Sequence, residues 1–231
     1  MNGATRATLI GLVGVLLVRL SLQGTFQRYV RSGMGPWLAL SGAALLAVAV
    51  ATFWRSRAGD AADDHDHDHG GRAVAWLLVA PVLVLLLVAP PALGSFALGR
   101  TGQAVSVEGG STAFATLEPG AAPLEMTLLE FDQRAFEGDH QGASFGGATV
   151  ALTGFVGPAD GDGFVVARFL IACCAADALA ASAHVVGWDG PAPETDTWVI
   201  VTGRFEPGGG DTPRLRAETV TPIDEPVDPY E

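Results

Sequence analysis

Two stretches of the chain carry side chains suited to chemistry. The first is ADDHDHDHG, residues 62–70, where His65, His67 and His69 alternate with Asp66 and Asp68 behind Asp63 and Asp64. Imidazole and carboxylate both bind zinc and similar divalent ions, and alternating donors on a flexible segment can converge on one ion without fixed geometry. A solvated loop is the plain alternative, since any polar insert between apolar segments is charged. Aspartate alone would serve that purpose, so the added imidazoles favour metal.

The second stretch is RFLIACCAADA, residues 168–178, which holds both cysteines of the chain, Cys173 and Cys174, with Asp177 close behind. On a strand the two thiols point to opposite faces, so at most one easily joins a mononuclear site while the other packs. Asp177 then falls just past the strand, where a turn can return its carboxylate to one thiol. Arg168 or a metal would lower that thiol's pKa. The competing reading makes both cysteines small core hydrophobes and Asp177 a turn cap. His140 and His184 are the imidazoles available to complete a zinc site there. The sequence has no HExxH, no CxxC and no glycine-rich phosphate loop ahead of a helix, so a non-enzymatic role is expected.

The elements that must position these residues differ between the two halves of the chain. Mean hydropathy is positive although the formal net charge is −12. The conflict resolves because residues 1–100 hold long apolar runs and residues 101–231 hold most of the acids. Every basic residue is arginine, and those from Arg100 onward are scattered among far more carboxylates. That excludes the clustered basic surface that nucleic-acid binding requires. Two adjacent cysteines do not make a disulfide framework, because a bridge between neighbours is strained.

Three apolar segments are expected to span a membrane. Residues 7–26 include LIGLVGVLLV and carry Arg19 near the far end, where a long side chain can snorkel to the interface. A secretory signal is disfavoured by the poor cleavage site around Ser21 and Gly24 and by the two spans that follow. Residues 36–54 are uncharged, have Trp37 and Trp54 at their ends, and include the small residues Gly42, Ala43 and Ala44, which permit close helix approach. Residues 75–96 open at Trp76 and contain Pro81, Pro90 and Pro91, breaks that a packed neighbour or water must satisfy. Arg6, Arg55, Arg57 and Arg72 slightly outweigh Arg28, Arg31 and Arg100. This bias puts the N-terminus and the His/Asp loop, residues 58–71, inside and the acidic region outside.

Residues 101–123 are rich in Gly, Ser, Ala and Thr and read as a flexible linker between a domain of residues 1–100 and one of residues 124–231. Leu124, Leu128, Phe131 and Ala135 then recur at helical spacing. Beyond them the period changes: residues 148–157, 163–174, 183–190, 196–207 and 213–223 are short runs of Val, Thr and aromatics between Gly, Pro and Asp turns. Gly208, Gly209 and Gly210 read as a hairpin loop. The expected fold is an α+β membrane protein, with three transmembrane helices followed by a small β-barrel-like domain of the OB type, or an open sandwich with the same pattern.

The order TFQRYVRSGMGPWLALSG, a His-rich loop, WLLVAPVLVLLLVAPPALGSF, TGFV, ARFLIACCAADA, DTWVIVTG and PIDEPVDPYE resembles the DUF1980 family, bacterial membrane proteins described as permease subunits. The resemblance implies a three-span part in the cell membrane, a β-rich domain and a companion polytopic permease of the DUF318 type. It also implies an association with zinc-responsive regulation in some bacteria. The family's cysteine-to-aspartate element maps onto Cys174 and Asp177, with Cys173 beside them. The function expected is an accessory permease subunit in divalent-metal handling, with zinc as its ion. A metal-independent scaffold that binds a protein or envelope ligand is the rival, and thiol redox chemistry at Cys173 and Cys174 is third.

Overall fold

The computed structural model describes residues 3–57, 79–88, 91–100, 102–103, 114–136, 142–161, 163–208 and 210–231. It divides into two compact units, Met1–Pro91 and Ala92–Glu231. The first is helical. Helix α1, Gly3–Gln23, and helix α2, Gly35–Arg57, are joined by the short turns Thr25–Arg28 and Ser32–Met34. Segments Thr5–Gln23 and Ser32–Arg57 are each long and apolar enough to cross a membrane. Large apolar side chains such as Val15, Leu40, Val48 and Val50 are exposed along both helices, and Trp37 and Trp54 stand exposed near the ends of α2. In water such surface would associate; in lipid it matches its solvent.

Glycines set how closely α1 and α2 approach. A Cβ on Gly14 would lie 3.0 Å from the Gly42 carbonyl oxygen, and one on Gly42 would lie 2.8 Å from Val18 Cγ2. At the turn, the Ser21 hydroxyl donates to the Gly35 carbonyl at 3.0 Å.

Helix α3, Val79–Leu87, packs on α1 within the same unit. Of the expected third span, residues 75–96, residues 75–78 and 89–90 lie outside the described residues, and α3 ends at Leu87. Residues 92–96, expected inside the span, belong to the second unit, where Ser95–Leu98 form helix α4. Asp196 holds them there: Ser95 donates its N–H to Asp196 Oδ1 at 2.6 Å and its hydroxyl to Oδ2 at 2.9 Å.

The second unit is a seven-stranded sheet with one main helix. Its elements are strand β1, Gly102–Gln103; β2, Leu124–Met126; helix α5, Leu128–Ala135; then β3, Thr149–Asp160; β4, Gly163–Leu170; β5, Leu179–Val186; β6, Trp198–Glu206; and β7, Arg214–Pro222. Strands β3–β4, β4–β5, β3–β6 and β6–β7 pair antiparallel. Strand β5 pairs parallel with β7 through Val185–Leu215 and its neighbours, so the pairings of these five strands return to their start. Gly203 allows the bulge in β6–β7, since a Cβ there would lie 2.2 Å from the Arg216 carbonyl oxygen.

The main core holds Val150, Leu152, Val166, Val185, Val199 and Leu215, closed over by Leu128 and Phe131 of α5. Thr127 caps α5, accepting the Glu130 N–H on its hydroxyl, and so ends β2 and starts the helix. Leu124, expected on the helical face, is consequently on β2, which pairs parallel with β3.

A second cluster, Phe155, Phe169, Trp198 and Tyr230, is covered by Leu93, Ala97 and Leu98. Residues 114–117, expected to be linker, are fixed to α5. Arg134 donates to the Ala115 carbonyl at 3.0 Å and lies over the Phe114 ring, while Leu117 donates its N–H to Ser144 O.

Replacing Gly42 with Val should destabilise the helical hairpin by on the order of 1–3 kcal/mol, because the added methyls overpack the approach to Val18 and Gly14. Thermal unfolding in detergent reads this, with Ala44→Val on the exposed side of α2 expected to unfold like the parent.

Candidate metal centre

Strand β4 ends at Leu170, and the chain then bends instead of continuing to Cys174. The Asp177 carboxylate causes the bend by collecting three backbone donors. It accepts the Ala172 N–H at 3.1 Å on Oδ1, and the Cys173 and Cys174 N–H groups at 2.9 and 3.4 Å on Oδ2. In return the Asp177 N–H donates to the Cys174 carbonyl at 3.0 Å, closing the turn Ala175–Asp177. Aspartate is suited to this because its short side chain competes with the strand ladder for local N–H groups.

Two expectations are corrected. The cysteines are not on a strand, so alternation does not part them: their sulfurs lie 3.6 Å apart on one turn. Nor are they core hydrophobes, since Cys173 is exposed and Cys174 partly so. The turn-capping role of Asp177 does hold. A donor atom from each of Cys173, Cys174 and Asp177 lies within 4.8 Å of the others, the one such group among the described residues.

The charge pattern also differs from expectation. Arg168 does not activate a thiol. Its guanidinium donates to the carbonyl oxygens of Asp228, Pro229 and Tyr230 at 2.8 to 3.3 Å, and it lies above the Trp198 ring. The Cys173 thiol instead hydrogen-bonds to the Asp177 carboxylate and contacts Cys174, and these neighbours push its pKa up to about 12. Reciprocally, the Cys173 thiol and then the backbone donors hold the Asp177 carboxyl below its ordinary value. Cys173 is thus mostly a neutral thiol at neutral pH, the reverse of an activated nucleophile.

His184 lies on β5, paired with Val165 and with Arg214 of β7. Five residues separate it from Leu179 at the cysteine end of the strand, about 16 Å, and it is not in the group. His65, Asp66, His67, Asp68, His69 and His140 lie outside the described residues. Residues 142–146, GASFG, match the GxSxG pattern of serine hydrolases. Ser144, however, is buried in a short turn, Ala143–Phe145, that is followed by strand β3 and not by a helix, so it does not form a nucleophile elbow.

Two thiols and a carboxylate are a zinc-type donor set. At Zn–S distances of about 2.3 Å, tetrahedral geometry places two sulfurs about 3.8 Å apart. The 3.6 Å found here needs almost no rearrangement. Asp177 Oδ1 accepts a single backbone bond and keeps a lone pair that can face an ion.

Fold and site together define an α+β protein with apolar N-terminal helices and a β-rich domain bearing an exposed thiol–carboxylate turn. Residues 132–231, which contain the turn, match the family model described as DUF1980 C-terminal domain, and this region of the chain belongs to that family. No curated protein matches the sequence.

The raised Cys173 pKa predicts slow alkylation by iodoacetamide at pH 8 in a Cys174→Ser background, with the rate still climbing above pH 10, read by mass spectrometry. Asp177→Asn removes the charge that holds the proton and should speed the reaction at pH 8 by about tenfold or more, as for a pKa lowered by one unit or more. A rate that levels off near pH 7 would contradict this.

Proposed function

We propose that the protein is a non-catalytic accessory subunit of a membrane permease that handles divalent metal, with zinc as its ion. The observation that carries this reading is the 3.6 Å sulfur spacing of Cys173 and Cys174 beside Asp177 on an exposed turn. Loading replaces two thiol protons with one divalent ion and needs no change of oxidation state.

On this reading the two long apolar helices, with residues 75–91 as a third span, hold the chain in the cell membrane, and the cysteine turn belongs to an extracytoplasmic β domain. That domain is an OB-type barrel. The strand circuit β3-β4-β5-β7-β6, with its single parallel pair β5–β7, has the connectivity of that fold. Apolar helices with so little charge do not form an ion pathway alone, so the pathway is supplied by a polytopic partner of the DUF318 type. The His65, His67 and His69 tract gathers ions on the other side of the membrane.

One observation favours the rival scaffold reading. Asp177 is bonded to three backbone N–H groups, a role that shapes a turn without any metal.

Zinc titration of the purified full-length protein separates the two. Cys173→Ser/Cys174→Ser should lower affinity at the tight site by more than about 100-fold, since the loss of outer-shell partners alone costs about 10–100-fold. The His65/His67/His69→Ser variant should keep that site and lose weaker equivalents. Equal zinc binding by the parent and the cysteine variant would leave the scaffold reading standing.

A further inference from the structure

We propose that the cysteine turn is a transfer site, which holds its ion through three local ligands and leaves one coordination position open for a donor group of another protein. The inference rests on the metal reading above and adds how the ion leaves.

Tetrahedral zinc takes four ligands, and structural sites supply all of them from the protein. Here the turn itself offers three, and among the described residues no fourth His, Cys, Asp or Glu joins them. His184, the one imidazole among the described residues, stands well along β5 from the turn. All three donors come from residues 173–177, so the ion ties together no distant parts of the fold.

The turn does not depend on an ion for its shape. The Asp177 carboxylate already holds the N–H groups of Ala172, Cys173 and Cys174, and the strand before the turn is fixed at Ile171, whose N–H donates to Glu231 O at 3.4 Å. A site built before loading and unchanged after unloading releases its ion without unfolding, unlike zinc sites whose binding energy is folding energy. The exposure of Cys173 lets an incoming group approach.

The group that fits the open position is a thiolate, imidazole or carboxylate. Its lone pair forms the new metal bond first. The bonds to Asp177 and to the two sulfurs then break in turn, and each sulfur leaves with its electron pair and takes a proton from water. The ion keeps its charge, and no oxidant or reductant takes part.

Cobalt(II) is the probe, added to the full-length protein in detergent and read by absorption. A thiolate-to-cobalt band that is absent in Cys173→Ser/Cys174→Ser is expected, together with visible cobalt bands that shift when imidazole is added. The rate of cobalt transfer to a chelator should rise about tenfold over a tenfold increase in chelator. A band that forms but ignores imidazole, with transfer independent of chelator concentration, shows a closed site and overturns the proposal while leaving the metal reading intact. No thiolate band at all removes the metal reading, and the proposal with it.

Discussion

The convergence of three backbone N–H groups on the Asp177 carboxylate is the interaction on which the site depends. A carboxylate that accepts several amide hydrogen bonds is stabilised in its charged form, which is why the Asp177 carboxyl sits below its ordinary value. The same bonds pull residues 172–174 out of the β4 ladder and so put both sulfurs on one side of the chain. The negative charge beside Cys173 then keeps that thiol protonated. Geometry that suits a divalent cation and chemistry that discourages a nucleophile thus have one cause. A cation at this position would replace the proton and satisfy the charge that retains it.

The turn is only as well placed as the strand that leads into it, and the tail of the chain secures that strand. Tyr230 forms a parallel bridge to Phe169, and the Glu231 N–H donates to the Phe169 carbonyl at 2.9 Å. Arg168 holds three carbonyl oxygens of the same tail. The Glu231 side chain caps α5 by accepting the Leu128 and Leu129 N–H groups at 2.9 and 3.2 Å. Burial raises the pKa of this carboxyl, and the two backbone bonds offset the effect in part. Tyr230 OH also accepts the Leu93 N–H at 3.1 Å. The tail therefore joins the strand before the cysteine turn, the helix that closes the core and the segment that enters the domain.

The β strands were legible in the sequence because runs rich in Val, Thr and aromatics lie between Gly, Pro and Asp turns, with buried and exposed residues alternating as at Leu215, Arg216, Ala217 and Glu218 of β7. What misled was length. Residues 163–174 keep an apolar strand composition past Leu170, and a period-2 reading has no term for a side chain three residues later that captures the backbone. Asp177 was visible as a turn residue, but its effect on the two thiols depends on three hydrogen bonds that spacing does not encode.

Residues 92–96 failed for a related reason. Their composition continues the apolar run, while their place is decided by Asp196 and Tyr230, about a hundred or more positions away. Leu124 likewise fits a helical spacing that the Thr127 cap interrupts.

The central claim is that Cys173, Cys174 and Asp177 bind one divalent ion together. X-ray absorption at the zinc edge of the loaded full-length protein tests it most directly. The account predicts two sulfur neighbours at about 2.3 Å and oxygen or nitrogen neighbours near 2.0 Å. A first shell of oxygen and nitrogen alone would contradict it.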